Sequence, residues 1–217
     1  MKAIVIGATG ATGKCIVQEL IHDTQFDEVT VLVRRASFSP HPKLKEVIVD
    51  FNQLDHYKEY FSADVAYSVM GTTLKDAGSK EAQWKVDYEY QYEFAKICAA
   101  QKVKTFVLLS AIGATPTSSI FYSRMKGELE VAVKKLPFDA LIIAQPASLL
   151  RPESNRWTEK TAVKLMRGLN QIGILKTYEV LHVQDLALAL IKASNTWKKG
   201  IHTLKVKELV ELSRPHK

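Results

Sequence analysis

Cysteine, proline and glycine are scarce in this chain, and it contains no long apolar run. Of its 217 residues, 2 are cysteine, 7 are proline and 10 are glycine. Two cysteines exclude a disulfide framework, and Cys15 and Cys98 lack metal-ligand spacing, so we expect free thiols in a reducing compartment and no metal site. No apolar run reaches the roughly 18 residues of a membrane-spanning helix, so no membrane association is expected.

The composition favours a globular α/β domain. It is 47% hydrophobic and 24% charged, with a net charge of +7. Lysines are dispersed, with only short pairs at 134–135 and 198–199. This pattern favours solvated helix faces and a phosphate-rich ligand over a nucleic-acid partner, and no zinc finger or aromatic stacking platform is evident. The first segment is strand-like, so we expect no signal peptide and a cytoplasmic protein.

Strand-like and helix-like segments alternate along the first two thirds of the chain, which is typical of a doubly wound parallel α/β sheet. Strands are predicted at 2–6, 28–33, 46–49, 64–70, 104–109 and 138–144. Helices are predicted at 12–22, 55–61, 79–101 and 118–136. We therefore expect one domain over residues 1–217.

The pattern becomes intermittent after Pro146. Residues 147–217 are expected to contribute a small lobe over the carboxyl edge of the sheet, where open α/β folds bind ligands. The elements predicted in this part are helices at 159–169, 184–193 and 208–212 and strands at 177–180 and 201–206.

Three glycines at three-residue spacing mark the turn between the first strand and the first helix. Gly7 suits a tight turn, Gly10 allows a pyrophosphate to approach the backbone, and Gly13 allows close packing of helix and strand. The free N–H groups of the helix N-terminus favour phosphate binding. The alternative is an ordinary glycine-rich turn. The sequence predicts a dinucleotide site with candidate contacts at Gly7, Thr9, Gly10, Ala11, Thr12 and Gly13.

The end of the second strand selects the cofactor in dinucleotide-binding proteins. An acidic residue there binds the ribose 2′-hydroxyl of NAD, whereas arginine accommodates the 2′-phosphate of NADP. This strand ends in Val33-Arg34-Arg35. Two guanidinium groups suit a phosphate dianion, so NADP(H) is predicted over NAD(H). The alternative is two arginines that only face solvent.

Two further segments follow strands at the same edge. After the third strand, Asp50 is a candidate acceptor for the adenine amino group and Phe51 a candidate neighbour of the ring. The alternative for Asp50 is a helix cap. After the fourth strand, Gly71, Thr72 and Thr73 are small enough for the cofactor to approach the backbone closely.

A candidate catalytic set follows the fifth strand. Ser110 ends that strand, and Tyr122 and Lys126 are four residues apart, so they share one face of a helix. A phenol has a reference pKa of about 10, and a nearby ammonium lowers it, which suits proton transfer to or from a substrate oxygen during hydride movement. Ser110 is a candidate hydrogen-bond partner of the same oxygen, and Lys126 is also a candidate contact of the ribose in the nicotinamide half of the cofactor. Tyr92 and Lys96 have the same spacing, but they lie late in a helix, away from the ligand edge.

These residues resemble those of the short-chain dehydrogenase/reductase superfamily, in its extended or atypical branch. The subgroup that is most similar comprises the Tat-interacting-protein-like and nucleoside-diphosphate-sugar-epimerase-like proteins. The resemblance rests on the glycine turn, Ser110, the segment Phe121-Tyr-Ser-Arg-Met-Lys-Gly-Glu128 and the segment 181–187. It implies a Rossmann fold, NADP(H) binding and a Ser-Tyr-Lys set, and it suggests nicotinamide contacts from Pro146 to Ser148.

Three departures from the family pattern bear on the substrate and the site. Asp87 lies near the position where many members carry asparagine, and Gln145-Pro146 replaces an Arg-Pro pair. The short C-terminal part argues against a large nucleotide-sugar substrate.

Two functions are compatible with these residues. The first is an NADP(H)-dependent oxidoreductase that acts on a small carbonyl or alcohol. The alternative is a non-catalytic NADP(H)-binding sensor that acts through a protein partner. We expect a monomer or a homodimer, because Trp84, Tyr88 and Tyr92 form a helical stripe that fits either a dimer face or packing within the chain.

Overall fold

Seven parallel strands form the central sheet of this computed structural model, which describes residues 1–147, 149–150 and 181–214. The strand bounds are β1 Lys2–Ile6, β2 Glu28–Val33, β3 Leu44–Ile48, β4 Val65–Ser68, β5 Thr105–Leu109, β6 Ala140–Ala144 and β9 Gly200–Leu204. The strand order is β3-β2-β1-β4-β5-β6-β9. All ladders of this sheet are parallel, with register pairs such as Ile6 with Ser68 and Leu108 with Ile143. This is the doubly wound α/β architecture predicted from the alternation of segments.

Helices cover both faces of the sheet because the central strands β1, β2, β4, β5 and β6 are almost wholly buried, whereas the edge strands β3 and β9 are partly exposed. One core layer includes Ile16, Val31 and Leu190, and the other includes Ile4, Phe94 and Leu129. The helix bounds are α1 Ala11–His22, α2 Leu74–Ala77, α3 Lys80–Trp84, α4 Tyr90–Ala100, α5 Phe121–Val133, α6 Val183–Thr196 and α7 Val206–Ser213, with a 3-10 helix at Phe51–Tyr60. None of the described helices is long and apolar enough to cross a membrane.

Most of the described C-terminal residues either extend the main sheet or lie in helices beside it. Strand β9 pairs with β6, and α6 is buried against α1. The Tyr67 hydroxyl on β4 and the Ser194 hydroxyl on α6 are hydrogen-bonded at 2.7 Å. Two short strands, β7 Leu149–Leu150 and β8 Leu181–His182, form a separate parallel pair. Residues 181–214, which were expected in a small lobe, are thus mostly packed on the main sheet or paired with it. The elements predicted at 159–169 and 177–180 lie outside the described residues.

One predicted helix differs from the structure. The sequence predicts a continuous helix at 79–101, but α3 and α4 are separated by a π-helical turn at Lys85–Glu89. Helical periodicity does not reveal such a turn, because it inserts a single extra residue into an otherwise regular pattern. The turn carries Asp87, which is fully buried. Along this element, Trp84 stacks on Tyr88 at 4.6 Å between ring centroids.

Candidate functional site

A cleft of about 810 Å³ opens at the carboxyl edge of the sheet, where β1, β4, β5 and β6 end. Its position is the one at which parallel α/β sheets bind ligands, since the strand order reverses between β1 and β4. The cleft is lined by Gly10, Ala11, Thr12, Val69, Met70, Gly71, Thr72, Thr73, Leu74, Asp76, Lys80, Gln83, Leu109, Ser110, Ala111, Ile112, Ile120, Phe121, Tyr122, Lys126, Pro146 and Ala147.

The glycine turn forms the floor of one end of this cleft. A Cβ atom on Gly7 would lie 2.5 Å from the Met70 nitrogen, and one on Gly13 would lie 2.1 Å from the Gly7 oxygen, so packing requires both glycines. Within the part of the chain that the structure describes, a Cβ on Gly10 would meet only the Gly7 oxygen, at 3.3 Å. Gly10 therefore leaves open space at the end of α1.

The N-terminus of α1 suits a phosphate group. Among the described residues, no side chain caps it, and its first turn contains no acidic residue. The first backbone N–H groups of a helix have no partner within the helix, and the helix dipole favours an anion there. The residues present therefore fit the diphosphate of a dinucleotide, with Gly10, Ala11 and Thr12 on the cleft surface.

The structure brings Ser110, Tyr122 and Lys126 to the same cleft. Ser110 directly follows β5, while Tyr122 and Lys126 both lie on α5. The Tyr122 side chain is half-exposed, whereas Lys126 is only 2% exposed. Tyr92 and Lys96, which have the same spacing, do not line the cleft. On α4 the Lys96 ammonium lies 5.6 Å from the Tyr92 ring centroid and pairs with Glu93.

Lys126 is held by groups behind the cleft. Its Nζ atom lies 3.8 Å from Asp87 Oδ1 and donates a hydrogen bond to the Leu109 carbonyl oxygen at 3.4 Å. The Asp87 carboxylate also accepts the Thr72 N–H, at 3.1 and 3.2 Å to its two oxygens. Burial raises the pKa of the Asp87 carboxyl, and burial likewise lowers the pKa of the Lys126 ammonium. Each charge therefore depends on the other to remain ionised.

Ser110 is held by a second buried group. Its hydroxyl donates a hydrogen bond of 2.5 Å to Glu130 Oε1, and both residues are 5% exposed. The Gln145 side-chain amide donates to both Glu130 oxygens, at 2.9 and 3.2 Å. The orientation of Ser110 is therefore set by α5 and by the residue that follows β6.

The residues predicted to select the cofactor and to contact its adenine lie outside the cleft lining. Arg34 and Arg35 directly follow β2 and are exposed. Asp50 caps the 3-10 helix by accepting the Asn52 N–H at 2.9 Å, which is the alternative recognised from the sequence. Phe51 is buried against Tyr90, with 5.5 Å between ring centroids, so its ring belongs to the core rather than to an open adenine site.

The remaining predicted residues are distributed along the cleft wall and the turn. Thr73 lines the cleft and caps α2 through the Asp76 N–H. Pro146 also lines the cleft, whereas Ser148 lies outside the described residues. Thr9 is exposed beside Gly10 in the turn.

Glu130 and Gln145 were not predicted as site residues, and Asp87 was not predicted as the partner of Lys126. For Glu130 a signal was present, because it follows Lys126 by four residues and so lies on the same helix face. Asp87 is 39 positions away from Lys126 along the sequence, and Gln145 is 15 positions away from Glu130, so only the tertiary structure brings each pair together.

Comparison with known sequences identifies a family and two informative relatives. The family model described as NAD(P)H-binding matches residues 7–158. The rat protein HTATIP2 is 35% identical over 150 residues, a match that covers 67% of this chain and 62% of the rat protein's own length. The Candida albicans protein FMP52, mitochondrial, is 31% identical over 198 residues, which cover 87% of this chain and 86% of that protein.

The names of the FMP52 relatives contradict the expected location. Several yeast relatives at 31–35% identity are named as mitochondrial proteins. The prediction of a cytoplasmic protein is therefore wrong. It rested on the composition and on the strand-like start of the chain, and neither observation distinguishes one compartment from another.

Comparison with solved structures confirms the fold. The Bordetella bronchiseptica enzyme WbmH in complex with NAD+ is similar with a TM-score of 0.69 at 15% identity, over 94% of this chain and 75% of that one. The human epimerase family protein SDR39U1 with NADPH has a TM-score of 0.62 at 18% identity, over 95% of this chain and 74% of that one. At such identities the similarity concerns the Rossmann fold alone.

Proposed function

The chain belongs to the NAD(P)H-binding family, and we propose that it is an NADP(H)-dependent oxidoreductase acting on a small carbonyl or alcohol. The observation that carries this proposal is that Ser110, Tyr122 and Lys126 line the same cleft as the open N-terminus of α1. A cofactor-binding end and a group suited to proton transfer thus share one cavity. The WbmH structure with NAD+ and the SDR39U1 structure with NADPH have the same fold, which supports a nicotinamide cofactor.

Gly10, Ala11 and Thr12 would hold the diphosphate, and Gly71 and Thr72 would lie beside the adjoining ribose. Gly71 has no side chain, so the cofactor could approach the backbone closely at this point of the cleft wall. When bound, NADPH supplies the hydride for carbonyl reduction and becomes NADP+, and the reverse holds for alcohol oxidation.

NADP(H) is the proposed preference. Arg34 and Arg35 are exposed at the carboxyl end of β2, where the 2′-substituent of the adenosine ribose is selected in this fold. Two guanidinium groups can form charge-assisted hydrogen bonds to a 2′-phosphate. No acidic residue follows β2 directly to favour NAD(H).

Tyr122 is proposed as the acid/base. In carbonyl reduction its hydroxyl donates a proton to the substrate oxygen, and the resulting phenolate regains a proton from solvent, to which Tyr122 is accessible. The Lys126 ammonium favours the phenolate by electrostatic attraction. Asp87 keeps that ammonium ionised although it is buried.

The function is tested by measuring NADPH oxidation with a panel of small aldehydes, ketones and quinones. We expect wild-type turnover of at least one class, and a Tyr122→Phe variant with kcat lower by about 10²–10⁴ and unchanged NADPH binding. Tyr92→Phe is the matched control, because Tyr92 has the same spacing to a lysine but does not line the cleft. Its kcat should equal that of the wild type.

Two results would contradict the proposal in different ways. Full activity of Tyr122→Phe would remove Tyr122 from the chemistry. Tight NADPH binding without turnover across the panel would favour the alternative, a cofactor-binding protein that acts through a partner.

A further inference from the structure

Exposed apolar side chains line part of the cleft. Leu74, Ile112 and Ile120 are exposed by 47%, 36% and 65%, and all three belong to the cleft lining. Leu74 lies on α2, whereas Ile112 and Ile120 lie in the segment between β5 and α5. Exposed apolar side chains that come from separate elements and meet at one cavity are typical of a ligand site. The cleft is therefore suited to the apolar body of a substrate.

Lys80, at the start of α3, brings a positive charge to the same cleft. It is exposed and belongs to the cleft lining. Its ammonium lies 5.6 Å from the centroid of the Phe121 ring, which lines the cleft as well. Phe121 directly precedes Tyr122 on α5. The Lys80 ammonium is thus placed beside the segment that carries the proposed acid/base.

The two lysines of the cleft lining have different surroundings. The buried Lys126 ammonium lies 3.8 Å from the Asp87 carboxylate, behind the cleft. The Lys80 ammonium lies over an aromatic ring, which attracts a cation but has no carboxylate oxygen. Asp76, an acidic residue of the lining, accepts the Thr73 hydroxyl at 2.7 Å. An ammonium has three N–H donors, so Lys80 can bind a carboxylate that a ligand brings into the cleft.

We propose that the cleft selects carbonyl compounds with an apolar body and a carboxylate group, and that Lys80 recognises the carboxylate. This inference rests on the proposed function, because it names the class of substrate for the same site. The apolar body packs on Leu74, Ile112 and Ile120, and the carboxylate accepts hydrogen bonds from Lys80 Nζ. The chemistry is unchanged: the carbonyl carbon gains a hydride from NADPH, and the carbonyl oxygen gains the Tyr122 proton.

The first test compares NADPH-dependent reduction of 3- and 4-formylbenzoate with reduction of their methyl esters. The two isomers hold the carboxylate at different distances from the aldehyde, and each ester removes the charge. Lys80→Met keeps an unbranched side chain but has no charge. For at least one isomer, the ratio of kcat/KM for the acid to kcat/KM for the ester should be at least about threefold lower in Lys80→Met than in the wild type, which is the effect of an ion pair in contact with solvent.

Two further variants and one change of conditions separate charge recognition from a structural effect. Lys80→Arg keeps the positive charge and should keep most of the wild-type ratio. Lys75→Met is the matched control, because Lys75 is exposed on α2 but does not line the cleft, and it should keep the whole ratio. Raising KCl to about 0.5 M should lower the wild-type ratio by screening and leave that of Lys80→Met unchanged. The Kd of NADPH should be the same in all these proteins.

The second test measures binding without turnover. Protein saturated with NADPH is titrated with 3- and 4-(hydroxymethyl)benzoate and with their methyl esters. No reaction occurs, because the cofactor and the alcohol group of the probe are both reduced. For at least one isomer, the Kd of the acid relative to that of the ester should be at least about threefold higher in Lys80→Met than in the wild type.

Acid-to-ester ratios that are the same in the wild type and in Lys80→Met, for both isomers and in both tests, would overturn this inference and leave the proposed function intact. A higher Kd for NADPH in Lys80→Met with unchanged ratios would overturn it as well, because Lys80 would then bind the cofactor. If no carbonyl is turned over, the proposed function fails, and the Kd ratios alone then support or remove the assignment of Lys80.

Discussion

At the scale of single residues, Asp87 connects two parts of the cleft. Its carboxylate accepts the Thr72 N–H on one side and lies 3.8 Å from the Lys126 ammonium on the other. The Gln83 side-chain amide donates to the Thr72 carbonyl oxygen at 3.2 Å, so both backbone polar groups of Thr72 are hydrogen-bonded. A buried charge without its partner costs far more than an exposed one.

Replacing Asp87 by asparagine should therefore destabilise the protein. We expect the free energy of unfolding at pH 7, measured with urea, to fall by about 3–5 kcal/mol, because the Lys126 ammonium loses its partner. The double variant Asp87→Asn/Lys126→Met should recover much of that loss. As a control, Glu93→Gln removes the exposed pair with Lys96 and should cost at most about 1 kcal/mol.

The unfolding free energy of Asp87→Asn should also increase with pH. Burial lowers the pKa of Lys126, so the folded variant binds fewer protons than the unfolded chain, and its stability rises with pH toward about 10. In the wild type the raised pKa of Asp87 acts in the opposite sense, because stability falls as the pH rises above about 4. A loss for Asp87→Asn that is identical at pH 7 and pH 9.5 would contradict this account.

At the scale of elements, α5 sets the geometry of the site because the preceding loop lies directly on it. A Cβ on Gly127 would lie 2.2 Å from the Thr115 carbonyl carbon, so the loop and the helix approach backbone to backbone. The Thr115 N–H donates to the Ser123 carbonyl oxygen at 3.1 Å and closes the contact. Tyr122 and Lys126 lie on the helix that this loop contacts.

Gly127→Ala should destabilise the protein although alanine is the better helix former. Helix propensity favours alanine by about 1 kcal/mol, but displacing the backbone at Thr115 costs about 1–3 kcal/mol or more. We expect a net loss of unfolding free energy and a lower melting temperature by calorimetry. Val131→Ala, at a 41% exposed position on the same helix, should change stability by no more than about 0.5 kcal/mol. A Gly127→Ala protein more stable than the wild type would exclude the proposed close packing.

At the scale of the whole molecule, the parallel sheet gathers groups from distant parts of the chain at one edge. Strands β1, β4, β5 and β6 end at the cleft, so the glycine turn, the Thr72 loop, Ser110 and Pro146 meet there. A ligand bound at this edge contacts several elements at once. Its binding free energy should therefore stabilise the folded chain as a unit.

NADPH at 100 times its Kd should raise the unfolding free energy by about 2.7 kcal/mol and the melting temperature by about 5–11 °C. The shift with equimolar NADH should be smaller, because only the 2′-phosphate can bind Arg34 and Arg35. The double variant Arg34→Ala/Arg35→Ala should give equal shifts with the two cofactors, while Lys207→Ala, outside the cleft, should retain the difference. Equal wild-type shifts would remove the proposed NADP(H) preference.

Short-range patterns predicted the parts of this molecule that short-range physics controls. Strands β1 and β2 were predicted at their observed bounds, because a buried parallel strand needs an unbroken apolar run. The turn at Gly7 was predictable because its backbone has a φ of 76°, which favours glycine. The π-helical turn was not predictable, since one extra residue hardly changes a helical pattern.

By itself, then, the sequence determined the bounds of strands β1 and β2, the glycine turn and the helix face that Tyr122 and Lys126 share, because each depends on residues within a few positions of one another. Only the tertiary structure decided what holds those side chains. Asp87 reaches Lys126, and Gln145 reaches Glu130, across long stretches of chain. The orientation of Ser110 is likewise a tertiary property, because it depends on which group the folded chain places behind that hydroxyl.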